Sequence, residues 1–207
     1  ITGFPSEDPI ESMFFISLAA TTGSKLTIKR SPIDFLELEL YTLSQMGLKY
    51  DRGETYLSDN GHTKLCDLTI YPSKLVAPPE KIAPRPYPGI NIDNLPFFVP
   101  IATQAEGETL IHDWVYEGRA KHYMEMQKLG AQMEMLDPHR VTVKGPCKLH
   151  SADIQAPPAL RPSTIILIGM LAAEGDSVLR DVYPINRGYE NLHERLKALG
   201  ATIEAAE

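Results

Sequence analysis

The chain has 207 residues, a net charge of -7, 43% hydrophobic and 23% charged residues, the profile of a globular chain large enough to bury a core without disulfides. The negative charge argues against a nucleic-acid partner held through a basic face, and the apolar runs are too short for a membrane-spanning helix. Two cysteines, Cys66 and Cys147, form neither a CxxC motif nor a disulfide framework, and both follow strand-like stretches, so they read as buried thiols.

In chain order, the first expected element is an apolar helix after Asp8-Pro9, a cap followed by an N1 proline, with Glu11 completing a capping-box pattern. It ends near Gly23. A strand at Lys25–Ile28 follows, then a helix predicted from Ser31-Pro32 to Met46-Gly47, with Ile33, Leu36, Leu40 and Leu43 at helical spacing. Two strands are expected after it, Leu48–Tyr50 and Thr55–Leu57. A proline-rich link runs from Val76 to Pro88.

The same plan then recurs twice. A second apolar helix follows Asp93 and ends near Gly107, with Pro100 expected to kink or delay it. A strand at Thr109–His112, a helical run to Leu129-Gly130, and strands at Gln132–Met135 and Arg140–Val143 complete the second copy. The third has a helix ending near Gly175, a strand at Ser177–Arg180, a helix through Tyr189, Leu192, Leu196 and Leu199 to Gly200, and a strand at Thr202–Glu204. The glycines that close these helices are expected in the left-handed conformation. The units run over about 6–75, 83–148 and 153–207, within a single domain spanning 1–207.

Three local motifs add specificity. Leu160-Arg161-Pro162-Ser163, Ala172-Ala173-Glu174-Gly175, Ile185-Asn186-Arg187-Gly188-Tyr189-Glu190 and Leu199-Gly200-Ala201 form one series. Pro86-Tyr87-Pro88-Gly89-Ile90-Asn91-Ile92-Asp93 is the second, and Val115-Tyr116-Glu117-Gly118-Arg119 with His122 the third. Together they resemble the C-terminal domain of the enolpyruvyl transferases, over nearly the whole chain. The resemblance implies an α/β (α+β) fold, an inside-out α/β barrel domain of three repeated helix–strand units around a pseudo-threefold axis. Arg-Gly-Tyr-Glu favours the branch acting on UDP-N-acetylglucosamine over the shikimate-pathway branch. That implies transfer of enolpyruvate from phosphoenolpyruvate to the sugar 3-hydroxyl with release of phosphate, the first committed step of peptidoglycan synthesis. A second, N-terminal domain of the same enzyme is the expected partner, and an isolated C-terminal domain is expected not to turn over.

Carried over residue by residue, the resemblance makes Asp93 the group that contacts the hydroxyl and takes its proton, with a helix cap as its simpler role. Arg161 and Arg187, both expected at helix starts, would bind the charged groups of phosphoenolpyruvate; a cation is disfavoured there by the macrodipole unless an anion is bound. Arg119 joins the site, with Glu117 as its cap or ion-pair partner, while Val115 and Tyr116 line the nucleotide-sugar pocket and His122 is structural. No metal or organic cofactor is implied, since no His/Cys cluster has ligand spacing and no Gly-rich phosphate loop is present. Ala159 and Asn186 stand where the family pattern has Asp, which leaves a non-catalytic nucleotide-sugar-binding relative as the second reading. The start, Ile1–Pro5, lacks a signal-peptide pattern and an initiator Met, so upstream sequence is expected to have been removed and a cytoplasmic location is expected.

Overall fold

A computed structural model describes residues 3–205. Three helices lie at its centre: α1 (Pro9–Thr22), α3 (Phe98–Thr103) and α4 (Leu160–Ala172). They pack pairwise on one another. Such helices must be apolar all round rather than along one stripe, and these are. Every residue of α1 from Ser12 to Thr21 is buried, as are all six of α3. Of the hydroxyls admitted to this interior, Ser17 donates to the Phe97 carbonyl at 2.7 Å and Ser163 to the Pro157 carbonyl at 2.8 Å, whereas the buried Thr21 hydroxyl finds no partner among the described residues.

Sheets and peripheral helices cover the core. The first unit adds β1 (Leu26–Pro32), α2 (Glu37–Gln45), β2 (Lys49–Arg52), β3 (Tyr56–Leu57) and β4 (Lys64–Tyr71). Its strand order is β1-β4-β2, antiparallel throughout, with β3 also pairing β4. The second unit adds β5 (Gly107–His112), a 3-10 helix over Ala120–Leu129, β6 (Gln132–Asp137) and β7 (Arg140–Gly145), in the order β5-β7-β6. In both sheets the last strand is central, because it must pair with the strand before and the strand after the peripheral helix. The third unit has β8 (Asp153–Gln155) parallel to β9 (Val178–Arg180), then α5 (Tyr183–Asn186) and α6 (Leu192–Ala198).

The helix signals hold with some displacement. Asp8 caps α1 by accepting from Ile10 N at 2.8 Å, and Gly23 closes it at φ 62°. Gly47, Gly130, Gly175 and Gly200 also have positive φ, as does Gly107, which opens β5 three residues beyond the end of its helix region at Gln104. Glu11 completes no capping box; it pairs with Arg195 instead. Pro100 delays its helix as expected: Leu95–Phe97 is 3-10, and α3 starts at Phe98, so the proline falls in a first turn whose N–H groups lack intrahelical partners anyway.

Three readings are corrected. Ser31-Pro32 does not start the second helix; both residues extend β1, whose register shifts between Ile28 and Ser31, and the Ser31 hydroxyl turns back to the Ile28 carbonyl. After a 3-10 turn over Ile33–Phe35, α2 begins at Glu37. Thr55–Leu57 yields only the two-residue β3, and the central strand of that sheet is β4, whose buried Leu65, Leu68 and Ile70 carry the packing. Thr202–Glu204 forms no strand, and Leu199 is exposed although Tyr189, Leu192 and Leu196 are buried. Among the described residues no helix is long and apolar enough to cross a membrane.

Candidate functional site

The site begins at a turn. Gly89 N donates to the Pro86 carbonyl at 2.8 Å and Arg85 N to the Ile90 carbonyl at 3.0 Å. A Cβ on Gly89 would lie 2.4 Å from the Arg85 Cβ, so this turn closes only around glycine. The chain then enters a second turn organised by Asn91, whose Oδ1 accepts from Asp93 N at 2.8 Å while its carbonyl accepts from Asn94 N and Leu95 N. Asn91 is therefore the residue that satisfies the orphan N–H groups before the Leu95–Phe97 helix. The expectation that Asp93 caps this helix is corrected: its carboxylate makes no cap bond and turns instead to two arginines. Asp93 Oδ1 lies 3.3 Å from Arg119 Nη1, and Oδ2 lies 3.9 Å from Arg161 Nη2. With its side chain 31% exposed, Asp93 stands at the boundary between interior and solvent.

Arg119 immediately precedes the 3-10 helix Ala120–Leu129, and its side chain is 8% exposed. The expected partner Glu117 is exposed and does not hold it. The partner is Asp113, fully buried just after β5, which receives Nε at 2.5 Å and Nη2 at 3.0 Å. Nη2 also donates to the Ile92 carbonyl at 2.7 Å. The Tyr123 hydroxyl donates to Asp113 Oδ2 at 2.6 Å. Burial disfavours charge on Arg119, yet the bonds and charge of Asp113 outweigh it and raise its pKa above the ordinary arginine value. Burial pushes the Tyr123 phenol well up, so it remains a neutral donor.

The aromatic segment before Arg119 lies outside. The Tyr116 ring sits 4.4 Å from the Arg119 guanidinium carbon, a cation–π arrangement, with Val115 and Tyr116 about half exposed beside it. Trp114 Nε1 donates to the Pro84 carbonyl at 3.0 Å and ties this segment to the proline-rich link. His122 is half-buried and donates its backbone N–H to the Arg119 carbonyl.

Arg161 occupies the first turn of α4, as read from the sequence, with its side chain 16% exposed. The N-cap of that helix, Ala159, offers no side-chain acceptor. Arg187 is corrected: α5 is four residues long and ends at Asn186 with Arg187 as its C-cap, so this cation sits at a helix C-terminus, where the dipole favours it. Its side chain is exposed and makes no ion pair among the described residues. The neighbouring Gly188 packs so closely on Leu160 that a Cβ would lie 2.3 Å from Leu160 Cδ2, which sets the Arg187 segment beside the start of α4. Tyr189 follows, its ring 5.2 Å from Phe14 and its buried hydroxyl without a hydrogen-bond partner among the described residues. Burial pushes that phenol up, and the charge of the nearby Arg161 opposes the shift.

The structure thus gathers Asp93, Arg119 and Arg161 directly, with Val115 and Tyr116 flanking Arg119. Two residues escaped the sequence reading. Asp113 follows the expected strand Thr109–His112 and precedes Arg119 by one loop, a placement that could have marked it. Glu39 interrupts the apolar Leu36, Leu40, Leu43 stripe, and it accepts from Asn91 N at 2.9 Å and Asn94 Nδ2 at 2.8 Å. A cavity of about 540 Å³ lies elsewhere, between α1, β1 and α6; two ion pairs cross its lining, Glu7 with Arg30 and Glu11 with Arg195, beside Asp8 and Lys29. Among the described residues no His, Cys, Asp or Glu group is placed to hold a metal. Chemically, the Asp93 cluster can accept a hydrogen bond from a hydroxyl while its guanidinium groups hold an anion.

Comparison with known proteins bears on the family and the fold. Residues 6–196 match the family model for EPSP synthase (3-phosphoshikimate 1-carboxyvinyltransferase). The chain is 34% identical over 200 residues to a UDP-N-acetylglucosamine 1-carboxyvinyltransferase of Campylobacter lari, covering 97% of this chain and 44% of that protein. It is 35% identical over 205 residues to one from Treponema denticola, covering 97% and 46%. The chain spans about half the length of the curated relatives it matches. Among solved structures, the enolpyruvyl transferase NikO from Streptomyces tendae is similar with a TM-score of 0.79 at 29% identity, over 95% of this chain and 44% of that one. An EPSP synthase from Acinetobacter baumannii shares the fold with a TM-score of 0.81 at 18% identity, over 96% and 46%. With its three central helices enclosed by sheets, the chain belongs to the EPSP synthase (3-phosphoshikimate 1-carboxyvinyltransferase) family, the enolpyruvyl transferases.

Proposed function

We propose that residues 1–207 form one domain of a two-domain enzyme that transfers enolpyruvate from phosphoenolpyruvate to the 3-hydroxyl of UDP-N-acetylglucosamine and releases phosphate. The observation that carries this is the Asp93 carboxylate held between Arg119 and Arg161 at the surface of the domain. The relatives at 34% and 35% identity are named for this substrate.

In this reading phosphoenolpyruvate is protonated at its methylene carbon, the sugar oxygen adds to C2, and the C2–O bond to phosphate then breaks as the new methyl group gives up a proton, which restores the carbon–carbon double bond. Asp93 receives the hydrogen bond of the attacking hydroxyl and takes its proton as the new bond forms. Arg161 and Arg187 hold the phosphate and carboxylate. The uncapped first turn of α4 adds free N–H groups beside Arg161, a favourable place for an anion. Arg119 keeps Asp93 oriented, and Val115 and Tyr116 border the sugar nucleotide. The second domain closes over this face and excludes water. A cytoplasmic location goes with this reading, as do two free, buried thiols.

The test is phosphate release from phosphoenolpyruvate with UDP-N-acetylglucosamine, by the full-length protein and by residues 1–207 alone. Turnover by the full-length protein and none by the fragment is expected. A full-length protein that binds the sugar nucleotide without turnover would instead establish the second reading, a non-catalytic relative. Ala159 favours that outcome, since the start of α4 lacks the carboxylate found in the family pattern.

A further inference from the structure

Glu39 is a carboxylate in the wrong company. It sits on α2 between Leu36, Leu40 and Leu43, all fully buried, and is itself 1% exposed. No cation pairs with it among the described residues. An unpaired buried carboxylate opposes folding, and burial raises its pKa here. An apolar side chain would continue the stripe without that penalty, so packing alone does not account for a glutamate.

Nor does the start of the helix. Glu39 is the third residue of α2, where an acid can reach back to the N-cap N–H. That N–H, on Leu36, already donates to the Ile33 carbonyl. Favourable charge at this helix end is supplied by the exposed Glu37, which pairs with Arg52 at 2.7 Å. Glu39 instead reaches across the sequence, where Oε1 takes both the Asn91 N–H and the Asn94 Nδ2. These two residues bracket Asp93. Asn91 Oδ1 holds the Asp93 N–H, and the Asn91 carbonyl holds the Asn94 N–H. From the other side, Ile92 is held by Arg119. The backbone carrying Asp93 is therefore tied to α2 through one oxygen atom.

We propose that Glu39 is a positioning residue for the transfer reaction: through Asn91 and Asn94 it fixes the loop that presents the Asp93 carboxylate to the substrate hydroxyl. This rests on the enolpyruvyl-transfer reading above. Misplacing a reacting group by about 1 Å can lower a rate by about 100-fold, so releasing this loop should act on turnover more than on binding.

The test uses the full-length protein with Glu39→Leu, which keeps an apolar residue on the stripe, and Glu39→Gln, which keeps an oxygen acceptor. Glu39→Leu should lower kcat about 10- to 100-fold while KM for UDP-N-acetylglucosamine changes less than about threefold. Glu39→Gln should stay within about threefold of the parent in both. Amide exchange at Asn91 should be faster in Glu39→Leu and near the parent rate in Glu39→Gln. An unchanged kcat in a folded Glu39→Leu overturns the proposal, as does an equal loss in Glu39→Gln. Should Glu39→Leu fail to fold, Asn94→Ala removes one of the two bonds of the tether from the loop side, and a lowered kcat supports the proposal while an unchanged one overturns it. If the unsubstituted protein releases no phosphate, the transfer reading falls and the role in turnover falls with it. Asn91 exchange then still shows separately whether the tether exists, since an unchanged rate removes the tether too.

Discussion

Asp113 holds Arg119 with both carboxylate oxygens, at 2.5 Å from Nε and 3.0 Å from Nη2, and this leaves Nη1 facing Asp93. The guanidinium plane is thereby fixed from inside the protein. Removing one partner of a buried pair strands the other, at a cost of about 3–5 kcal/mol. Asp113→Ala should lower the unfolding free energy by about that amount in urea titration. Tyr123→Phe, which deletes one hydrogen bond to the same carboxylate, should lower it by about 1.5–3 kcal/mol. A loss below 1 kcal/mol in both, against that expected ~3–5 kcal/mol, would show that the pair does not order the site.

The turn around Asp93 separates a structural from a chemical role. Asn91 supplies the turn's hydrogen bonds, so Asn91→Ala should cost about 1 kcal/mol of stability, read as a lower Tm. Asp93→Asn should leave Tm nearly unchanged, because its carboxylate is partly exposed and caps nothing. In the full-length protein the same substitution should lower turnover by roughly 100-fold or more, the usual contribution of a positioned acid or base. Turnover of Asp93→Asn at the parent level would remove that residue from the mechanism.

Glu39 gives stability a pH dependence of known sign. Burial raises its carboxyl pKa in the folded state, opposed by the bonds from Asn94 and Asn91. The stability linked to this group is fully present below the unfolded value of 4.5 and is lost as pH rises through the raised folded value. Glu39→Gln does not titrate and keeps an acceptor. It should therefore be more stable than the parent at neutral pH, and the difference should shrink as pH falls toward the unfolded value. Urea unfolding of both proteins across that range measures it; a difference independent of pH would mean that burial does not perturb this carboxyl.

Gly188 lies where α5 meets the start of α4. An added methyl would meet Leu160 at 2.3 Å, and overpacking of this kind costs about 1–3 kcal/mol. Gly188→Ala should also weaken phosphoenolpyruvate binding, since Arg161 and Arg187 are the sequence neighbours of the two residues pushed apart. Calorimetric titration of the full-length variant checks this, and parent-like affinity would separate Arg187 from the anion site.

The central helices were legible because burial on all sides leaves a continuous apolar run closed by Asp8 and Gly23, both of which act locally. Arg161 was legible for the same reason, as a first-turn residue. What escaped depends on partners far along the chain. Glu39 and Asn91 are 52 residues apart, and a glutamate on a helix gives no hint of which backbone it will meet. Arg187 was assigned to a helix start because the Tyr189–Leu199 spacing suggested one helix; the chain instead breaks at Asn191, at φ 46°, into α5 and α6. Ser31-Pro32 misled because a serine–proline pair suits a strand end as well as a helix cap.

The two cysteines lie in different units, Cys66 within β4 and Cys147 just beyond β7, and both are buried. Burial also pushes the Cys66 thiol up, which lowers the reactive thiolate fraction. Each is thus a silent reporter that a thiol reagent can reach only when its own sheet opens. Labelling rates at the two positions, compared in increasing urea, would reveal whether the first and second units come apart together or one before the other. Equal rates would mean that the threefold arrangement behaves as one cooperative body, with the shared helical centre rather than the individual sheets as its unit of stability.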